Sequence, residues 1–97
     1  MPQFELQFQF VAMMQPDQAE VVAARMEKVV PFPHNTQSLV TKEGSSCMIW
    51  LQVDGPFSDN AYATDWAKAA RRDMLATVTE EETVVPHVIV VAQLKED

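Results

Sequence analysis

Three side chains in this sequence carry the chemistry of a metal ligand, a general base or a nucleophile near neutral pH: His34, His87 and Cys47. Each histidine follows a proline, and the two lie in different connections. A protein zinc site draws three or four ligands from spaced His, Cys and carboxylate positions. No carboxylate pattern of that kind flanks either histidine, so both read as ordinary loop and strand-start residues. Cys47 opens an apolar alternating stretch. A cysteine nucleophile wants a nearby base and an electropositive setting; without them a buried thiol is a small hydrophobe that fills a core. Gly44 and Gly55 are the only glycines. That excludes the glycine-rich phosphate cradles of P-loop and dinucleotide-binding proteins. The chain has no HExxH, CxxC or nucleophile-elbow pattern either. The expectation is a protein with no catalytic residues, no metal and no cofactor.

Charge narrows the partners. Seven basic residues stand against fourteen acidic ones, a net charge of −7. Such a surface repels phosphate backbones, so direct nucleic-acid binding is not expected. It suits a basic protein surface, including one that normally holds nucleic acid, and it also confers solubility. Glu80-Glu81-Glu82 is the densest acidic run. It reads first as a solvated connection and second as a docking point, reinforced by Glu43, Asp54 or Asp59 if these share its side. Lys68, Arg71 and Arg72 form the basic cluster, which would suit an anion or an acidic partner patch. As a solvated helix face it is locally balanced by Asp65 and Asp73. One cysteine cannot form an internal disulfide, and no secretory apolar segment opens the chain, so a reducing cytoplasm is the expected compartment. The longest apolar runs are too short for a membrane span, and no membrane partner is expected.

Positioning these residues requires a scaffold, and the apolar pattern supplies one. A length of 97 residues fits one domain, residues 1–97, and a 47% hydrophobic fraction is ordinary for a globular chain. Phe4, Leu6, Phe8, Phe10 and Ala12 alternate with Glu5, Gln7, Gln9 and Val11, which predicts a first strand over Phe4–Ala12. Gln15-Pro16-Asp17 breaks that pattern, and Asp17 with Glu20 has capping-box spacing. Ala19, Val22, Ala23, Met26 and Val30 then recur at helical spacing over Asp17–Val30, and Pro31-Phe32-Pro33 stops the helix. Thr36–Glu43 is a weaker, polar strand suited to an edge. Gly44-Ser45-Ser46 connects it to Cys47–Asp54, where Cys47, Ile49, Leu51 and Val53 alternate with Met48, Trp50, Gln52 and Asp54. Gly55-Pro56 should end that strand. A second helix follows over Asp59–Thr77, with Ser58, Asp59 and Asn60 as candidate caps and Ala63, Trp66, Ala67, Ala70, Met74 and Val78 on its apolar face. Pro86 precedes a final strand, His87–Leu94, apolar on both faces, and Lys95-Glu96-Asp97 reads as a solvated tail.

The order β-α-β-β-α-β with right-handed crossovers implies an α+β, ferredoxin-like fold: a four-stranded antiparallel sheet ordered 4-1-3-2 with two helices on one face. The first and third strands are then central. Their uncovered faces bring Glu5, Gln7, Gln9 and Val11 beside Met48, Trp50, Gln52 and Asp54, with either Val88/Val90 or Ile89/Val91 added by the last strand. A tryptophan in such a patch is a candidate interface anchor. RNA-recognition modules use this sheet face through aromatics on the central strands. Here Glu5, Gln7 and Gln9 take those places and the basic patch is missing, so that function is excluded. The acylphosphatase family shares this size and fold, yet needs an arginine and a glycine in the loop after the first strand; Met13-Met14-Gln15-Pro16 has neither. The element order is also similar to that of small dimeric α+β-barrel proteins, including quinol monooxygenases and related haem-degrading enzymes, which close two sheets around a pocket.

Two functions remain as expectations. The first is a small acidic, non-catalytic protein-binding module, of the kind common among phage and mobile-element accessory proteins and inhibitors of host proteins. Its partner is another protein or itself as a homodimer, and its binding residues are Met48, Trp50, Gln52, Gln7 and Gln9, with Glu80, Glu81 and Glu82. The alternative is a dimeric α+β-barrel protein that binds or oxidises a small apolar ligand behind Trp50 and Met48.

Overall fold

Alternation and helical periodicity resolve into six elements in the computed structural model, which describes residues 1–94: β1 (Gln3–Ala12), α1 (Pro16–Glu27), β2 (Asn35–Glu43), β3 (Ser46–Pro56), α2 (Asn60–Leu75) and β4 (Val84–Gln93). The expected tail Lys95-Glu96-Asp97 lies outside the described residues. The sheet runs β2-β3-β1-β4 with every neighbouring pair antiparallel, which is the 4-1-3-2 order read from the other edge. The fold is α+β and ferredoxin-like, with both helices on one face of the sheet.

β1 and β3 pair along their whole length, from Gln3 opposite Pro56 to Ala12 opposite Cys47. A register shift of one residue would turn every Phe of β1 to the wrong face, so the alternation itself locks this pairing. Phe4, Leu6, Phe8, Phe10, Cys47, Ile49, Leu51 and Val53 are buried beneath the helices. The helices answer large residues with small ones: Ala19 and Ala23 on α1, and Ala63, Ala67 and Ala70 on α2, are all buried. Alanine lets each helix axis approach the sheet closely while the phenylalanines fill the space between layers. α1 lies over β2 and β3, α2 over β4 and β1. Cys47 fills this core, and its thiol donates to the Met14 carbonyl at 3.3 Å.

Several element ends differ from the sequence reading, each for a local reason. Asp17 forms no capping box: Gln15 is the N-cap without a side-chain bond, Pro16 opens the helix, and Asp17 accepts from the Gln18 amide. α1 stops at Glu27, not Val30, because Val29 and Val30 bond back three residues, to Met26 and Glu27, and turn toward the core. β3 continues through Gly55-Pro56 instead of ending before them. β4 starts at Val84 and takes in Pro86, which had been placed ahead of the strand. Its pairing with β1 shifts between Gln9 and Phe10, leaving His87 as an extra residue, and a bulge on an edge strand is where a proline is tolerated. At α2 the Asp59 carboxylate accepts from the Tyr62 amide at 2.8 Å, which makes it the cap among the three candidates Ser58, Asp59 and Asn60. The β2–β3 turn is two residues, Gly44-Ser45, with Gly44 at φ +63° and no positive φ at Ser45. That combination matches the turn type that suits a twisted hairpin and favours glycine first.

Candidate functional site

The sheet face opposite the helices is covered by no element among the described residues. Strand register arranges it as four cross-strand rows. At one end stand Asn35, Asp54, Glu5 and Ala92; next come Gln37, Gln52, Gln7 and Val90. The third row is Leu39, Trp50, Gln9 and Val88, and the fourth is Thr41, Met48, Val11 and Val85. The face therefore grades from acidic through amide to apolar. The strand-four question is decided too: Val88 and Val90 lie on this face, while Ile89 and Val91 pack toward the helices.

Hydrogen bonds hold the polar end in place. Gln7 Nε2 donates to Glu5 Oε2 at 3.2 Å, and Gln52 Nε2 donates to Asp54 Oδ2 at 3.1 Å. The two carboxylates face each other across β1 and β3, and each is bonded by the glutamine two residues along its own strand. At the apolar end Trp50 is half-buried among its neighbours, and its indole Nε1 donates to Thr41 Oγ1 at 3.2 Å. Beside it Leu39 is 61% exposed, and farther across the face, opposite Gln7, Val90 is 45% exposed. An open depression of about 300 Å³ lies between Trp50, Leu39, Gln37, Gln52 and Gln7. Met48, Trp50, Gln52, Gln7 and Gln9 thus share one surface. Leu39 and Thr41 belong to it as well and were missed. The signal was available, because a two-residue turn at Gly44-Ser45 pairs Glu43 with Ser46 and carries Leu39 opposite Trp50.

The acidic run divides. Glu80 and Glu81 are exposed, whereas the Glu82 side chain is only 10% exposed. Glu82 accepts from the Thr79 amide at 3.0 Å, from Gln18 Nε2 at 2.6 Å and from Arg25 at 2.5 Å. The Thr79 amide and the Arg25 guanidinium lower its pKa from 4.5 to about 2, against the opposing pull of burial. Arg25 also donates to the Thr77 carbonyl, so Glu82 ties the α2–β4 connection onto α1. Glu43 lies at the same end of the sheet as this run, while Asp54 and Asp59 lie at the opposite end.

The two histidines do not meet. His87 sits in the β4 bulge at one edge, and His34 precedes β2 at the other. The His34 ring stacks on Phe57 with centroids 4.5 Å apart, lies 5.0 Å from Trp66, and its Nε2 is 3.1 Å from the Pro56 carbonyl oxygen. Among the described residues its Nδ1 is buried without a partner. Gly55 makes the space: a Cβ there would lie 2.2 Å from His34 Cδ2. This is a structural cluster closing the end of the core. Among the described residues no three His, Cys, Asp or Glu side chains come together as a metal-binding group.

No protein-family model matches the chain, and no curated protein matches it. Among solved structures, the de novo designed protein Foldit4 is similar, with a TM-score of 0.66 over 96% of this chain and 99% of that one, at 6% identity. At that identity the likeness concerns the fold alone. No helix among the described residues is long and apolar enough to cross a membrane.

Proposed function

We propose that this chain is a small non-catalytic binding module whose open sheet face, centred on Trp50, docks another protein or a second copy of itself. The observation that carries the reading is the half-buried Trp50 beside Leu39 and Met48, on a face that also carries Val11 and, beyond Gln9, Val88, with no covering element among the described residues. Contiguous apolar surface rimmed by polar groups marks interaction sites, and tryptophan is enriched where binding energy concentrates. The amide and acidic rows supply the polar rim, and the net charge of −7 favours a partner with a basic margin. A reducing cytoplasm suits the single buried thiol of Cys47. An accessory protein of a phage or mobile element, acting on a host protein, has this character.

A second reading draws on the depression beside Trp50. A second copy closing over the sheet would turn it into the wall of a pocket, as in a dimeric α+β barrel that binds or oxidises a small apolar ligand. Both readings make Trp50 the anchor. Trp50→Ala should weaken partner binding or self-association by about 2 kcal/mol or more, roughly thirtyfold, with the fold retained. Sedimentation velocity and affinity capture from lysate, with circular dichroism as the fold control, measure this. A dimer enclosing a cavity supports the barrel; a protein partner or a dry seam supports the module. Unchanged association in the variant, or loss of folding, refutes both.

A further inference from the structure

A second surface lies at the β4 edge, away from the Trp50 face. β4 is ten residues long and carries no Asp, Glu, Lys or Arg, whereas the other edge strand, β2, ends in Lys42-Glu43. Exposed edges are ordinarily blunted by charge, bulges or cover. Here only the N-terminal part is blunted, by Pro86 and the bulge at His87. The Leu94 amide bonds to the Gln3 carbonyl. Alternation along an antiparallel strand then turns Ala92, Val90 and Val88 toward β1 and aims the backbone groups of Gln93, Val91 and Ile89 outward. On the helix side Ile89 and Val91 pack against the core but are only half-buried. They form the floor of an open groove of about 350 Å³ whose other wall is Thr64, Lys68 and Arg71 of α2. Neither Lys68 nor Arg71 has a carboxylate within salt-bridge distance among the described residues.

We infer that the β4 edge binds an extended acidic peptide segment of a partner as a fifth strand, with its carboxylates directed to Lys68 and Arg71. Backbone bonding to Ile89, Val91 and Gln93 gives affinity, and alternate side chains give specificity. Side chains of the added strand on the helix side would cover Ile89 and Val91 and reach the two cations. The local charge of the groove selects this occupant over a second copy: pairing β4 with β4 would bring two Lys68/Arg71 pairs toward each other, whereas carboxylates of an acidic segment meet both cations.

The test uses the full chain and two synthetic seven-residue peptides, one alternating Val with Glu and one alternating Val with Lys. Titrations are followed by backbone amide NMR and fluorescence anisotropy. The Glu peptide should bind at least tenfold more tightly than the Lys peptide, with the largest shifts at Ile89, Val91 and Gln93. Combined Lys68→Glu and Arg71→Glu should weaken it about tenfold, while Lys42→Glu on the opposite edge leaves it unchanged. Equal affinity for both peptides, no binding of the Glu peptide, or shifts confined to the Trp50 face overturns the inference. Concentration-dependent shifts of the β4 amides without peptide, with a dimeric mass, overturn it in favour of self-pairing.

Discussion

Replacing Glu82 by Gln removes one charge from the link between the α2–β4 connection and α1 while keeping the side chain's shape. The carboxylate accepts from the Thr79 amide, Gln18 and Arg25, and its pKa falls from 4.5 to about 2. At about 1.4 kcal/mol per unit, the whole displacement sets a ceiling of about 3.5 kcal/mol. The Arg25 side chain is 30% exposed and the pair sits at the surface, so solvent screening reduces the expected value to about 1–2 kcal/mol. The sign follows from a depressed folded-state pKa. Above about pH 5 Glu82 is ionised in both states and its contribution is complete. As the pH falls below 4.5 the unfolded chain takes up the proton first, and the contribution disappears toward pH 2. Urea unfolding of the wild-type and Glu82→Gln chains from pH 7 to pH 2 reads this directly. The stability gap should be about 1–2 kcal/mol at pH 7 and close between pH 4.5 and 2. A gap that is absent at pH 7, or that persists undiminished at pH 2, refutes the account of Glu82 as a charge-based tie.

Gly55→Ala should destabilise the fold by about 2 kcal/mol, because its Cβ would overlap the His34 ring. In a His34→Ala background the same substitution should cost less than about 1 kcal/mol, a coupling that a double-mutant cycle of urea midpoints measures; additive effects would contradict it. Gly44→Ala should cost about 1 kcal/mol by forcing a side chain to φ +63° in the hairpin turn, with no change in the denaturant slope; a neutral result would mean that the turn readjusts at no cost.

Local patterns carried most of the architecture. β1 and β3 were legible because each alternates without a break, and central strands under helices demand that alternation. The helices were legible from their apolar faces and from the cap candidates Ser58, Asp59 and Asn60, and with the connections they implied the sheet order. What escaped depended on contacts distant in sequence. Arg25 and Glu82 are 57 residues apart, and nothing beside either one announces the other. His34 looked like an ordinary loop residue because Gly55, Phe57 and Trp66, which enclose it, lie in the second half of the chain. Pro86 was read as a boundary because a proline cannot donate to a ladder, and only the bulge at His87 shows why this edge accommodates it. The Trp50 surface was half legible: its β1 and β3 members followed from alternation, while Leu39 and Thr41 required the hairpin register.

The central claim is that the open sheet face is the binding surface. Methyl NMR with a soluble paramagnetic probe tests it most directly, comparing the Met48, Leu39 and Val88 methyls in the free chain and in its isolated complex or dimer. Strong protection of those methyls on association, with the Ala24 methyl on the exposed side of α1 unaffected, is the expected result. A complex that forms while Met48, Leu39 and Val88 stay as accessible as in the free chain would contradict it.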